Sequence, residues 1–210
     1  MSIRAASGTS SGGDYDLQNP AGSFVDVVRR VVTQPAGFFS SIPRRGNYLS
    51  PLVFGLISIT ISTILGGLLR LAWGAQTGGG VRFQAEDYGF GDFILSVIFA
   101  PIGGAIGLFI LAAIVHLLVM IFVGSGNSGF ESTFRVVSYV SVTNLVNWIP
   151  FVGGIVALYG LYLAVVGIRE IHVTTTGRAA LVVLVPVAVV LFLVLLILLV
   201  AGAFLIGRFA

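Results

Sequence analysis

The chain has 210 residues, of which 57% are apolar and only 9% charged, with a formal net charge of +3 and no cysteine. A soluble domain carries about a quarter charged residues, so this composition, with a mean hydropathy of +1.06, excludes an ordinary water-soluble fold. The missing thiols exclude disulfides and cysteine-based catalysis or metal binding, and the basic residues, all arginine, cluster only as the pairs Arg29-Arg30 and Arg44-Arg45, which argues against nucleic-acid binding.

Residues 1–22 are rich in Ser and Gly and too poor in apolar side chains to offset the entropy of ordering, so a disordered tail is predicted. No signal peptide is recognisable there, and the first span is expected to act as the insertion signal. From Ser23 to Arg45 the pattern becomes amphipathic. Ser23 and Asp26 match a capping box, Phe24, Val27, Val28, Val31 and Val32 recur at helical spacing, and Pro35 ends the run. Phe38 and Phe39 then precede Arg44 and Arg45, which reads either as a helix lying in the membrane surface or as one packed on the ends of the spans.

The spans follow. The first runs from about Leu49 to Trp73 and carries Ser58, Thr60, Ser62 and Thr63, hydroxyls that can bond back to helix carbonyls. The second lies between Asp92 and Gly124, longer than one straight crossing requires, with a kink or break predicted at Pro101. Residues 130–168 are too many for one crossing, and the break at Trp148-Ile-Pro-Phe-Val-Gly153-Gly154 divides them into a third and a fourth span or a re-entrant hairpin. The last span is the clearest. From Ala179 to Gly207 no charged, amide, hydroxyl or histidine side chain occurs, and at about 1.5 Å per residue such a helix reaches beyond a hydrocarbon core of about 30 Å.

The predicted fold is thus all-α, a five-span transmembrane helix bundle over residues 46–210 preceded by an N-terminal amphipathic interfacial helix. With the N-terminus inside, Arg4, Arg29, Arg30, Arg44, Arg45, Arg135, Arg169 and Arg178 fall on the cytoplasmic side and Arg70, Arg82 and Arg208 outside, the better of the two topologies under the positive-inside rule. Glu86, Asp87 and Asp92 then belong to an outer loop, and the expected location is a cell (inner) membrane.

Functional signals are sparse. The loop Gly124-Ser-Gly126-Asn-Ser-Gly129 satisfies G-x-G-x-x-G but follows a membrane helix and lacks the downstream acid, so it is read as a turn. His116 is the one strongly ionisable side chain well inside a span, and equal counting from the same side brings Ser138, Tyr139 and neighbouring polar groups to its depth. That layer is either a proton or ion path or a neutral histidine satisfied by one hydroxyl; it offers no second histidine. Arg135, Ser138, Ser141, Asn144 and Asn147 recur every three residues and so wind around their helix, lining a path or bonding to several neighbours. Glu131 and Arg135 read as an i, i+4 surface pair. Gly103 with Gly107, and Ala100 with Gly104, mark close helix approach, within the chain or to a second copy. No catalytic constellation, metal site or cofactor site is found. Arg44, Arg45, Arg135, Arg169 and Arg178 form the predicted partner or lipid face, with membrane lipids, other membrane or cytoplasmic proteins or self-association as the expected contacts.

Four stretches carry a family resemblance: Gln34-Pro35-Ala-Gly-Phe38-Phe39, Phe130-Glu131-Ser-Thr-Phe134-Arg135-Val-Val-Ser-Tyr139, Ile149-Pro150-Phe-Val-Gly153-Gly154, and Gly167-Ile-Arg169-Glu170-Ile-His172 through Gly177-Arg178-Ala179-Ala180. In order and spacing the chain resembles the bacterial branch of the Ypt-interacting-protein (Yip) domain family of five-span membrane proteins. The eukaryotic members are associated with small GTPases and vesicle membranes, and their Asp-Leu-Tyr-Gly-Pro motif has no counterpart here. The resemblance implies a multi-pass membrane protein acting as a scaffold or adaptor, the rival being a small permease, channel or lipid-handling transporter, with no active-site residue to carry over.

Overall fold

The computed structural model describes residues 13–73 and 88–209, and every regular element among them is helical. Helix α1 (Pro20–Thr33) starts earlier than the Ser23 cap predicted, because Asn19 caps it and Pro20 supplies the preset first-turn dihedral. Ser23 instead accepts the Asp16 amide at 2.7 Å. Helix α2 (Pro35–Ser41) turns back, burying Phe38 and Phe39 completely in the protein rather than offering them to acyl chains.

Among the described residues four helices are long and apolar enough to cross a membrane: α3 (Leu49–Trp73), α4 (Phe90–Phe122), α7 (Val152–Ile171) and α8 (Thr176–Phe209). Their outward residues, such as Ile98, Phe99, Ile102 and Leu191, are exposed apolar side chains that only lipid would solvate favourably. Ser58 and Thr63 return their hydroxyls to the carbonyls four residues back, so their polarity costs α3 little. Helix α4 runs unbroken through Pro101, so of the predicted kink or break the break does not occur. Gly104 faces Leu56 and Ile59 of α3, whereas a Cβ added at Gly103 or Gly107 would meet nothing from another element within 4 Å among the described residues. The expected outer-loop residues Arg82, Glu86 and Asp87 lie outside the described residues.

The expected third span is not one long helix. Residues 130–147 form α5 (Phe130–Val140), a 3₁₀ turn (Ser141–Thr143) and the single-turn α6 (Asn144–Asn147). This segment sits at the centre, with α3, α4 and α7 packed around it. A sharp turn follows: Phe151 takes φ +65° and is fully exposed, while the Trp148 indole donates to the Leu145 carbonyl at 2.8 Å. A Cβ on Gly66 would lie 3.3 Å from Trp148, so the turn sits beside Gly66 of α3. That is seven residues, roughly 10 Å of helix, short of the end of α3 at Trp73.

The core joins both halves of the chain. Phe54 of α3, Tyr139 and Val142, Leu163 and Ile168 of α7, and Ala179 and Val182 of α8 pack with Tyr15, Val27, Val31, Phe38 and Phe39 from the amino-terminal segment. Asp14 and Tyr15, predicted as part of a disordered tail over residues 1–22, are therefore built into the bundle, while Leu17 to Gly22 are exposed; residues 1–12 lie outside the described residues.

Candidate functional site

Helix α5 is the most polar of the helices inside the bundle, and it buries eight consecutive residues, Ser132 to Tyr139. A helix facing lipid could not carry a serine, a threonine, an arginine and a tyrosine in that run without satisfying each one. Protein surrounds α5 on all sides, and nearly every polar group finds a partner outside its own helix. Ser132 donates to the Arg44 carbonyl at 2.7 Å.

Arg135 is only 1% exposed. Its guanidinium meets Asp14 at 2.5 Å, donates to the Asn47 carbonyl at 2.9 Å and reaches Glu131 at 3.3 Å. Tyr139 donates its hydroxyl to the other Asp14 oxygen and accepts the Tyr15 amide at 3.2 Å. The expected surface pair of Glu131 and Arg135 is thus an interior cluster closed by an acid from the amino-terminal segment. A buried arginine stripped of its carboxylate is strongly unfavourable, so Asp14 anchors the whole segment.

Two residues before Arg135, Thr133 holds the two histidines together. Its hydroxyl lies 2.9 Å from His116 Nδ1 and 3.1 Å from His172 Nε2. The Ser128 amide donates to His172 Nδ1 at 3.0 Å, so the neutral His172 ring carries its proton on Nε2. That proton goes to Thr133, whose own hydrogen then points to His116 Nδ1, so the three side chains form one directed chain of donors. Burial holds the His172 imidazole down at about 4, with His116 and Arg44 nearby adding to the effect. His116 therefore does have a histidine partner, one that depth counting missed because His172 belongs to the turn between α7 and α8.

That turn borders a cavity of about 560 Å³ at the arginine-rich end of the bundle. Arg44, Arg169 and Arg178 line it together with His172, Thr174 and Thr175, and Glu170 takes Arg169 at 2.5 Å. Val173, in the middle of the turn, holds φ +50°, a conformation costly for a β-branched residue. At the opposite end a cavity of about 530 Å³ is lined by Ser62, Arg70, Tyr88, Trp148 and Phe151 among others. A third, also about 530 Å³, is almost wholly aliphatic and lies between α4, α5, α7 and α8.

The structure thus divides the sequence-predicted residues. Arg44, Arg169 and Arg178 come together; Arg45 is exposed nearby in the chain, and Arg135 is buried and cannot belong to a surface face. Of the predicted polar layer, His116 bonds to Thr133, Tyr139 to Asp14, Ser138 Oγ has no partner, and no hydrogen bond joins Asn144 to His116. Asp14, Thr133 and His172 carry the site without having been singled out. Sequence spacing held no signal for Asp14, which pairs across 121 residues.

The family model described as Yip1 domain matches residues 29–199. No curated protein and no solved structure matches the chain. The match covers most of the sequence, and the chain belongs to the Yip1 domain family.

Proposed function

We propose that this Yip1-domain membrane protein acts as a non-enzymatic scaffold or adaptor, presenting its arginine-rich end to partners. In this reading that end faces the cytoplasm of a cell (inner) membrane, and α5 to α7 go in and return, so that α8 leaves from the same side. Counting the α5–α6 segment as a crossing gives five spans.

The observation that carries the proposal is the use made of the polar groups on α5. Ser132, Thr133, Arg135 and Tyr139 tie the Arg44 carbonyl, His172 and Asp14 to one helix, which turns the arginine-rich end into a single rigid surface. Side chains consumed in this way do not line a path. The polar cavities at the two ends share no lining residue, and Leu163, fully buried, lies along α7 between the Gly154 of one and the Arg169 of the other.

Cysteines placed at Ser125 and Gly177, both exposed, suit crosslinking in cells. Defined crosslinked species, to a second copy or to another protein, are the expected result. Absence of any specific crosslink, together with solute flux in proteoliposomes, would transfer the assignment to a permease.

A further inference from the structure

The aliphatic cavity between α4, α5, α7 and α8 takes no part in the polar network of α5. Its room comes from α7, where Ala157, Gly160 and Ala164, three and four residues apart, share one face of the helix and line the cavity. Small residues at this spacing ordinarily let a neighbouring helix close in, but here they border open space. The other walls are branched aliphatic side chains such as Val136, Val183, Val187 and Leu191, and no aromatic ring lines the space among the described residues. Its two polar lining residues, Thr143 and Asn147, precede the Trp148 turn, and the Thr143 hydroxyl is already spent on the Val140 carbonyl at 3.0 Å. A buried water needs about two to four polar partners, so it has no stable place here, and leaving the space empty would forfeit dispersion contacts along the whole lining.

Shape and access decide what fills it. The lining of α7 runs from Val156 to Ile168, roughly 18 Å along the helix, so a volume of about 530 Å³ has a mean cross-section of roughly 30 Å². A helix with its side chains is about 10–12 Å across and needs roughly three times that section, which excludes a span from a second copy. Toward the arginine-rich end Val119, Ile171, Ala179 and Val182, all fully buried, close the space off. Leu111 of α4 and Val190 and Leu191 of α8 line it yet are exposed on the outside of the bundle, so it opens sideways between candidate membrane spans. What stands outside such spans is lipid, and the slender, flexible, wholly apolar part of a lipid is its acyl chain.

We infer that this cavity is a binding site for one acyl chain of a membrane lipid, which enters between α4 and α8 and lies along α7 with its headgroup outside the bundle. The site reads chain length and not headgroup charge. It goes beyond the scaffold reading and does not depend on it.

The test is native mass spectrometry of the full chain in detergent, titrated with dioleoyl phosphatidylglycerol, dioleoyl phosphatidylcholine or dihexanoyl phosphatidylcholine. The wild type is expected to retain one dioleoyl lipid per chain, within about twofold for the two headgroups. The dihexanoyl lipid binds at least about tenfold more weakly, since burial of two methylenes is by itself worth about that factor. Ala157→Phe, which fills the opening from an exposed position, lowers dioleoyl retention about tenfold, whereas Ile98→Phe, exposed on α4 outside the cavity, leaves it unchanged. Equal retention by the wild type and Ala157→Phe would place the lipid on the outer surface of the bundle only and overturn the inference. So would two outcomes that need no variant to fold, a tenfold preference of the wild type for the anionic headgroup and displacement of the dioleoyl lipid by an equal amount of the dihexanoyl one. A dimer that replaces the lipid-bound monomer would mean that a second copy covers the opening, and would equally sink the acyl site. Crosslinks from Ser125→Cys without lipid retention would remove this site and spare the scaffold; lipid retention without crosslinked species, but with solute flux, would do the reverse.

Discussion

Asp14 and Arg135, 121 residues apart in the chain, meet at 2.5 Å in the interior of the bundle. Both are nearly buried, with side chains 9% and 1% exposed. The contact makes the amino-terminal segment a structural member of the bundle. Removing one partner leaves a charge without compensation, which costs about 3–5 kcal/mol for buried pairs. Glu131 at 3.3 Å recovers part of that. Asp14→Asn is therefore expected to destabilise the protein by about 3 kcal/mol, measured by thermal unfolding in detergent. Adding Arg135→Met to Asp14→Asn should cost much less than the sum of the two single changes, and strict additivity would show that the pair is not coupled.

His172 makes stability depend on acid. Its folded value near 4 lies below the ordinary value of 6.5, because burial disfavours the charged ring. The unfolded chain therefore binds the proton first as pH falls, and the stabilisation is complete above about 6.5, declines through the window down to about 4 and is gone below it. The loss amounts to at most about 3 kcal/mol. Comparing melting temperatures of the wild type and His172→Gln across this window isolates the effect. Parallel curves would show that His172 does not titrate on unfolding.

Gly167 lets three helices approach. A Cβ there would sit 2.7 Å from Val136 Cγ1 and 3.2 Å from the Phe39 ring, so Gly167→Ala forces α2, α5 and α7 apart. Overpacking of this kind costs about 1–3 kcal/mol. Val136→Ala should recover part of the loss. Gly103→Ala, whose added Cβ would meet nothing from another element within 4 Å among the described residues, should be neutral or stabilising by up to about 1 kcal/mol through helix propensity. Equal effects at the two glycines would contradict the packing.

Val173 stores strain in the turn that borders the arginine cavity. It holds φ +50° while 68% exposed, so a glycine there would relieve the backbone and lose little packing. Val173→Gly is expected to raise stability by about 1 kcal/mol in the same melting assay. A drop would mean that the exposed valine is contributing contacts beyond those of the isolated chain.

The return of α5 to α7 can be tested by labelling, because the chain has no cysteine of its own. Ser125→Cys and Gly177→Cys should react with a water-soluble maleimide from the same side of the membrane. Reaction from opposite sides would mean that residues 130–171 cross only once.

Different parts of this architecture were visible in the sequence to very different degrees. Helices α3, α4 and α8 stand out because lipid permits only long uninterrupted apolar helices, and the composition of each is nearly sufficient to place it. The α5–α6 segment resists such reading. Its polar residues wind around the helix, which tells that several neighbours bond to them but not which ones. Arg135 was placed on a surface face because a charge at i+4 from Glu131 ordinarily sits in water, and only the arrival of Asp14 allows it to be interior. The arginines of the α7–α8 turn were visible as a basic group, whereas their shared cavity with Arg44 depends on how the loop before α3 folds back.

The amino-acid sequence by itself determined that the protein lives in a membrane, which stretches form its long apolar helices α3, α4 and α8, and which family it resembles, because these follow from local composition and order along the chain. Tertiary structure alone decided which polar groups meet. Hydrogen bonds and ion pairs act over about 3 Å, and the groups that satisfy Thr133 and Arg135 come from residues that no spacing rule connects to them.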